Sequence, residues 1–111
     1  MSGPTRSIAE LRERLTLEAR IETSDSGSGV RRVWQSLAHL WASIETIDAD
    51  QRVDAGQVGQ RQTHRIVIRY RTDIDTQKRF RRADDIFLIK GVHDVDGRRR
   101  WLICYCEEMR P

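Results

Sequence analysis

The 111-residue sequence predicts a mainly β protein, about six short antiparallel strands forming a small barrel or sandwich. Three observations carry that reading. Apolar and polar residues alternate with a period of two over Arg14–Thr23 and again over Thr63–Arg71. Asp96-Gly97 separates two runs rich in β-branched and aromatic residues, Asp85–Val95 and Trp101–Glu107. Turn-forming clusters lie between most of the remaining segments.

Along the chain, Ser7 followed by Glu10 fits a capping box, so residues 1–12 read as an N-terminal arm with room for one helical turn. In the first strand, Leu15, Leu17, Ala19 and Ile21 share one face; Thr16, Glu18, Arg20 and Glu22 share the other. Ser24–Gly29 is a connector by composition. Val30–Ile47 is ambiguous. Trp34, Leu37, Ala38 and Trp41 fit helical spacing, and periodicity leans helical for the first half; Leu40, Ala42, Ile44 and Thr46 fit a strand.

Asp48–Gln62 is polar and lacks an apolar stripe. Fifteen such residues make a long loop for a small domain, and loops of that length tend to carry function. Folded back on itself, the segment reaches up to roughly 25 Å. His64, Ile66, Ile68 and Tyr70 then share one face of a strand, with Arg65, Val67, Arg69 and Arg71 on the other. A turn at Thr72–Thr76 leads to a short basic strand, Lys78–Arg82. Asp-Gly is the strongest short signal for a two-residue type I′ turn, so Asp96-Gly97 predicts a tight hairpin joining the last two strands.

Length allows a single domain, 1–111. Net charge is +3, and of 20 basic residues only Lys78 and Lys90 are lysine. Arginine favours planar contacts to carboxylate and phosphate, but charges of both signs spread through the chain argue weakly for nucleic-acid readout. Cys104 and Cys106, two apart on a strand, share a face and cannot easily bridge, and read as core thiols in a reducing compartment. No signal peptide and no membrane-spanning run is expected.

No phosphate loop, nucleophile elbow or zinc-hydrolase spacing is present, and His39, His64 and His93 are scattered. Asp84, Asp85, Asp94 and Asp96 near His93 read as turn formers rather than a metal set. No enzyme, metal or cofactor is expected. Two arginine groups remain: Arg79, Arg81 and Arg82 on the short strand, and Arg98, Arg99 and Arg100 after the turn. If their strands lie close together, they form one basic patch for phosphate or an acidic protein rim; otherwise they are solvated edge charges. Trp34, Trp41 and Trp101 are expected in the core or at a subunit boundary, and Tyr70, Trp101 and Tyr105 in the inward phase.

In order and spacing, several stretches resemble the phage head-closure, or head–tail joining (stopper), proteins of tailed phages, prophages and gene transfer agents. They are Leu11–Leu17, Trp34, Leu40–Ile44, Ala55, Thr63–Tyr70, Asp85–Ile89, Val95–Leu102 and Cys106–Glu108. The resemblance covers most of the chain. It implies a small antiparallel β-barrel of about six strands with one long polar loop. It also implies a strand over Leu37–Thr46 against the helical periodicity.

By the same resemblance the chain is a structural virion protein, assembled in the bacterial cytoplasm. It forms a homo-oligomeric ring, of six or twelve copies, between portal and adaptor above and tail terminator or tail tube protein below. The ring closes the DNA-filled head and presents the tail docking face. The loop 48–62 becomes the channel loop, with Asp48, Asp50 and Asp54 where relatives often carry a glutamate. Arg52 and Arg61 then face packaged double-stranded DNA without reading its sequence, and Gln57, Gln60 and Gln62 hydrogen-bond from loop to loop. The two arginine groups become subunit or partner contacts. The rival readings are a monomeric basic nucleic-acid-binding barrel and another tail-ring component such as a tail terminator.

Overall fold

Alternating side chains give each strand one apolar face, and a sheet with one apolar face must bury it. Here it does so by curling into a closed barrel. The computed structural model describes residues 11–24, 27, 29–47 and 63–109. Six strands run in sequence: β1 Glu13–Ser24, β2 Val30–Thr46, β3 His64–Arg69, β4 Lys78–Arg82, β5 Asp85–Asp94 and β6 Trp101–Met109. They close in the order β1-β2-β3-β6-β5-β4, every neighbouring pair antiparallel. Closure gives every strand a paired neighbour on both sides along part of its length.

The inward residues are those that the alternation predicts. Leu15 and Leu17 from β1, Ile66 and Ile68 from β3, and Cys104 and Cys106 from β6 are all buried in one cluster. Phe80 and Phe87 stand opposite each other across β4 and β5, both fully buried, at the heart of that cluster. The connection from β3 to β4 must cross one barrel end, because β4 lies beside β1 and β5 rather than β3. Ile74 from that connection, with Tyr70, packs against the core there.

Three expectations are corrected. The first half of β2 is strand, not helix: Val30 to Trp41 pairs continuously with β1, apart from a bulge that leaves Leu37 unpaired. Pairing satisfies its backbone along a twelve-residue partner, which outweighs a weak helical spacing. The final hairpin is antiparallel as expected, but its turn is not two residues long. Asp94 pairs with Leu102, and residues 95–100 form the loop, with positive φ at Gly97 (69°) and Arg99 (58°) but not at Asp96. Side-chain capping explains the wider turn: Asp96 accepts a hydrogen bond from the Arg98 backbone N–H (3.0 Å), and Asp94 one from Arg99 (3.1 Å). A second bulge, at Lys90, shifts the register of this hairpin by one residue.

The third correction concerns the aromatics. Trp34 and Trp41 lie on the outer face of β2, opposite Arg20 and Arg14 respectively. Trp101 and Tyr105 alternate with the buried Leu102, Cys104 and Cys106, so they point outward too. The buried cluster consists of Leu, Ile, Phe and Cys side chains with Ala42, and none of the three tryptophans is in it.

Candidate functional site

The antiparallel order gives the barrel two unlike ends. At the first, β2 ends at Thr46 and β3 begins at His64, so the segment 48–62 leaves and returns side by side. Its root is tightly held. Ile47 donates its backbone N–H to Thr63 O at 2.9 Å, and Thr63 donates its own to Cys106 O at 2.8 Å. The Thr63 hydroxyl accepts from Glu108 N at 2.7 Å and hydrogen-bonds His64 Nδ1 at 2.9 Å. His64 in turn meets the ring of Phe87 edge-on at 5.1 Å. The two residues that flank 48–62, Ile47 and Thr63, are thus held to each other, and Thr63 to β6. Arg52, Gln57, Gln60, Arg61 and Gln62 lie outside the described residues, as does the Ser7–Glu10 capping box.

From the opposite end projects a ribbon. β1 pairs with β4 only over Thr16–Ala19, yet continues against β2 as far as Ser24↔Val30. Arg20–Ser24 and Val30–Trp34 therefore form a two-stranded arm beyond the barrel wall. Five residues at about 3.3 Å each extend it by roughly 16 Å. The same end carries the 95–100 loop and the 70–77 connection.

The two arginine groups do not form one patch. β4 pairs with β5 at Asp85–Leu88, whereas the 95–100 loop begins past Asp94, about 20 Å further along the strand. Each group is also engaged locally. Arg79 and Arg81 both reach Glu18, at 2.7 and 3.0 Å. Arg82 reaches Glu13 at 3.1 Å and Asp85 at 3.4 Å. Arg100 pairs with Asp96, whose carboxyl it holds below the usual carboxylate range, and Arg98 and Arg99 donate backbone N–H groups to the turn.

The sequence reading missed an outward row of alternating cations and rings. Arg14 pairs with Trp41 across β1 and β2, its guanidinium 5.0 Å from the ring centroid. Arg69 pairs with Trp101 across β3 and β6, at 5.7 Å. One step beyond the last β2–β3 pair, Ala42↔Ile68, Trp41 and Arg69 flank the opening between these strands. The row Arg14–Trp41–Arg69–Trp101 so crosses four strands. Part of the signal for it was present: Arg14 and Arg69 lie in the polar phase of their strands, whereas Trp101 was expected to face inward.

Beside this row, β2 and β3 separate past Ala42↔Ile68 and open a cleft of about 310 Å³. Leu11, Leu40, Ile68 and Tyr70 line its floor, and His39, Trp41, Arg69 and Arg71 its rim. Arg71 is clasped by Asp73 through two hydrogen bonds of 2.9 and 2.8 Å, which hold the Asp73 carboxyl below its ordinary range.

Among the described residues no group of three or more His, Cys, Asp or Glu is arranged to hold a metal ion. Of the aspartates near His93, Asp94 and Asp96 accept backbone hydrogen bonds in the 95–100 turn, and Asp85 meets Arg82. Burial pushes both thiols up, Cys104 to about 12. No helix among the described residues is long and apolar enough to cross a membrane.

A closed six-stranded barrel with an arm at one end and basic and aromatic side chains along its wall belongs to the class of small antiparallel β-barrel domains. The chain belongs to the phage head completion protein family, whose model matches residues 6–109. Two solved structures are similar. One is the solution structure of a protein from Shigella flexneri 2a, with a TM-score of 0.75 and 28% identity over 93% of this chain and 96% of that one. The other is a chain of the virion of a native gene transfer agent particle, with a TM-score of 0.64 and 25% identity over 89% of this chain and 96% of that one. Among curated proteins nothing matches.

Proposed function

We propose that this protein is a structural component of the virion of a tailed phage or phage-like particle. Its copies form a ring between portal and adaptor on one side and tail on the other, closing the DNA-filled head and offering the tail a docking face. The observation that carries this reading is the family match over nearly the whole chain, on a barrel whose two ends present different equipment. A connector must meet different neighbours above and below, and a chain with unlike ends supplies that asymmetry in every copy.

On this reading the segment 48–62 projects into the channel. A ring repeats each loop, so Arg52 and Arg61 become belts of positive charge facing phosphate, and Gln57, Gln60 and Gln62 bridge neighbouring loops. The work is mechanical and electrostatic, with no bond made or broken.

The test is deletion of residues 50–60 in a particle-producing system. The rooted ends at Ile47 and Thr63 keep the barrel intact, so the variant folds and enters particles. Heads are then expected to lose DNA or fail to join tails. Filled, tailed particles at normal yield would remove the channel role. Negative-stain images of the purified protein with its neighbouring gene products test the ring.

A further inference from the structure

We propose that the cleft between β2 and β3, together with the Arg14–Trp41–Arg69–Trp101 row beside it, is a docking site for an extended acidic protein segment carrying an apolar anchor. The proposal does not depend on the ring or on the channel loop.

Charge complementarity selects the occupant's sign. Arg14 and Arg69 are exposed, and the contact of each is with a tryptophan ring rather than a carboxylate. Arg71 carries the one carboxylate of the group, Asp73. The rim is therefore net positive, and an incoming carboxylate gains planar guanidinium partners.

The floor selects an apolar side chain. Leu40, Ile68 and Tyr70 are part of or packed on the core, so an apolar group entering there continues the barrel interior. Trp41, 52% exposed at the rim, is positioned to cover it. Exposed tryptophan and arginine around a small recess is the composition of interface hot spots.

The backbone selects an extended peptide over a nucleic acid. Past Ala42, among the described residues, no strand pairs with the edge of β2 that faced β3, while the other edge stays on β1. Its N–H and C=O groups at the cleft can pair with an added strand. Duplex DNA presents phosphates on a stiff rod, and neither the recess nor the strand edge serves it.

The probe is a short fluorescent peptide alternating glutamate with leucine, titrated against the intact protein by anisotropy. A lysine–leucine counterpart and a duplex oligonucleotide of arbitrary sequence are run beside it. Saturable binding of the acidic peptide is expected, with neither competitor displacing it at equal concentration. Trp41→Ala and Arg69→Gln are each expected to weaken it roughly tenfold, and Arg31→Gln, on the arm, to leave it unchanged. Circular dichroism and unfolding midpoints establish that the variants fold; the side chains of Trp41 and Arg69 are exposed, so they should. No binding of the acidic peptide by the folded protein, binding indifferent to Trp41→Ala and Arg69→Gln, or preference for the duplex would each overturn the proposal.

Discussion

Glu18 and Arg79 meet at 2.7 Å on the outer wall of the barrel, where β1 closes onto β4. Glu18 is 2% exposed although it lies in the polar phase of its strand, and Arg81 takes its second oxygen at 3.0 Å. Trp34 covers the cluster, its ring centroid 4.0 Å from the Arg79 guanidinium. The seam that closes the barrel has only four register pairs, so this outer cluster is a large part of what joins its two edges.

Arg79→Ala is therefore expected to destabilise more than Arg81→Ala. Removing Arg79 leaves a buried carboxylate with one partner that is itself half in water, at a cost of about 3 kcal/mol. Removing the more exposed Arg81 costs about 1 kcal/mol. Urea unfolding checks the order through the midpoints at unchanged slope. Equal midpoints would mean that the seam is held by the backbone ladder and the Leu17–Phe80 pair alone.

Two non-glycine residues, Ala83 and Arg99, hold left-handed backbone, with φ of 52° and 58°. That conformation costs a residue with a Cβ about 1 kcal/mol. Ala83→Gly and Arg99→Gly are each expected to be neutral or stabilising by up to about 1 kcal/mol, offset by the entropy glycine adds to the unfolded chain. Gly97→Ala, at φ 69° with open space around it, is expected to cost about 1 kcal/mol through backbone strain alone. Thermal melts of the three variants give the signs.

The buried thiols set an alkaline limit. Burial holds Cys104 protonated up to about pH 12, from an ordinary 9.0, and pushes Cys106 up as well. In the unfolded chain both thiols lose their protons near the ordinary value. Between that value and the folded one, the unfolded state binds fewer protons, so stability falls as pH rises. The contribution is fully present below about pH 9 and lost progressively towards about pH 12. Melting temperatures should drop over that window, and less steeply in Cys104→Ala. At neutral pH neither thiol should react with a thiol reagent until denaturant is added.

Thr63 is expected to matter more than its neighbours in sequence. Its hydroxyl serves Glu108 N and His64 Nδ1 at the root of the long segment. Thr63→Val keeps the shape and removes these hydrogen bonds, together with the hydroxyl's long contact to Cys106 O (3.5 Å), and leaves the Glu108 N–H without its hydroxyl acceptor. A loss of about 1–2 kcal/mol is expected in urea unfolding. A silent variant would mean that the backbone pair Ile47–Thr63 suffices to close the root.

Much of this was legible in the chain. The period-two faces of β1 and β3 placed Leu15 and Ile66 in the core, because a closed barrel leaves each strand only one way to face. What failed had tertiary causes. The tryptophans read as core or subunit-boundary residues because they are large and apolar, and the core half of that reading fails: the buried cluster is built from Phe80, Phe87, the aliphatics and the thiols. Asp96-Gly97 read as a two-residue turn, but carboxylates two and five residues before their N–H partners capped a wider loop. Whether the two arginine triplets form one patch stayed open in the sequence, because sequence spacing hides the length of β5. The placing of Trp41 and Arg69 about one opening depends on the register of β2 on β3, which no local signal fixes.

The arm should be the first part of the described barrel chain to open. Beyond Ala19, β1 has lost β4, and β2 up to Trp34 has only β1 beside it. Ile21 and Val33 pair across the ribbon but stay 36% and 39% exposed, so the pair buries little apolar area. An isolated two-stranded ribbon is marginal in water. Amides of Arg20–Ser24 and Val30–Trp34 should therefore exchange hydrogen well before those of Ile66–Ile68, which sit between two strands over a fully buried core. Mass-spectrometric exchange on the isolated protein measures the difference. Protection of the ribbon equal to that of β3 would show that something covers it in solution, and dilution would tell whether that is a second copy, since only self-association weakens as concentration falls.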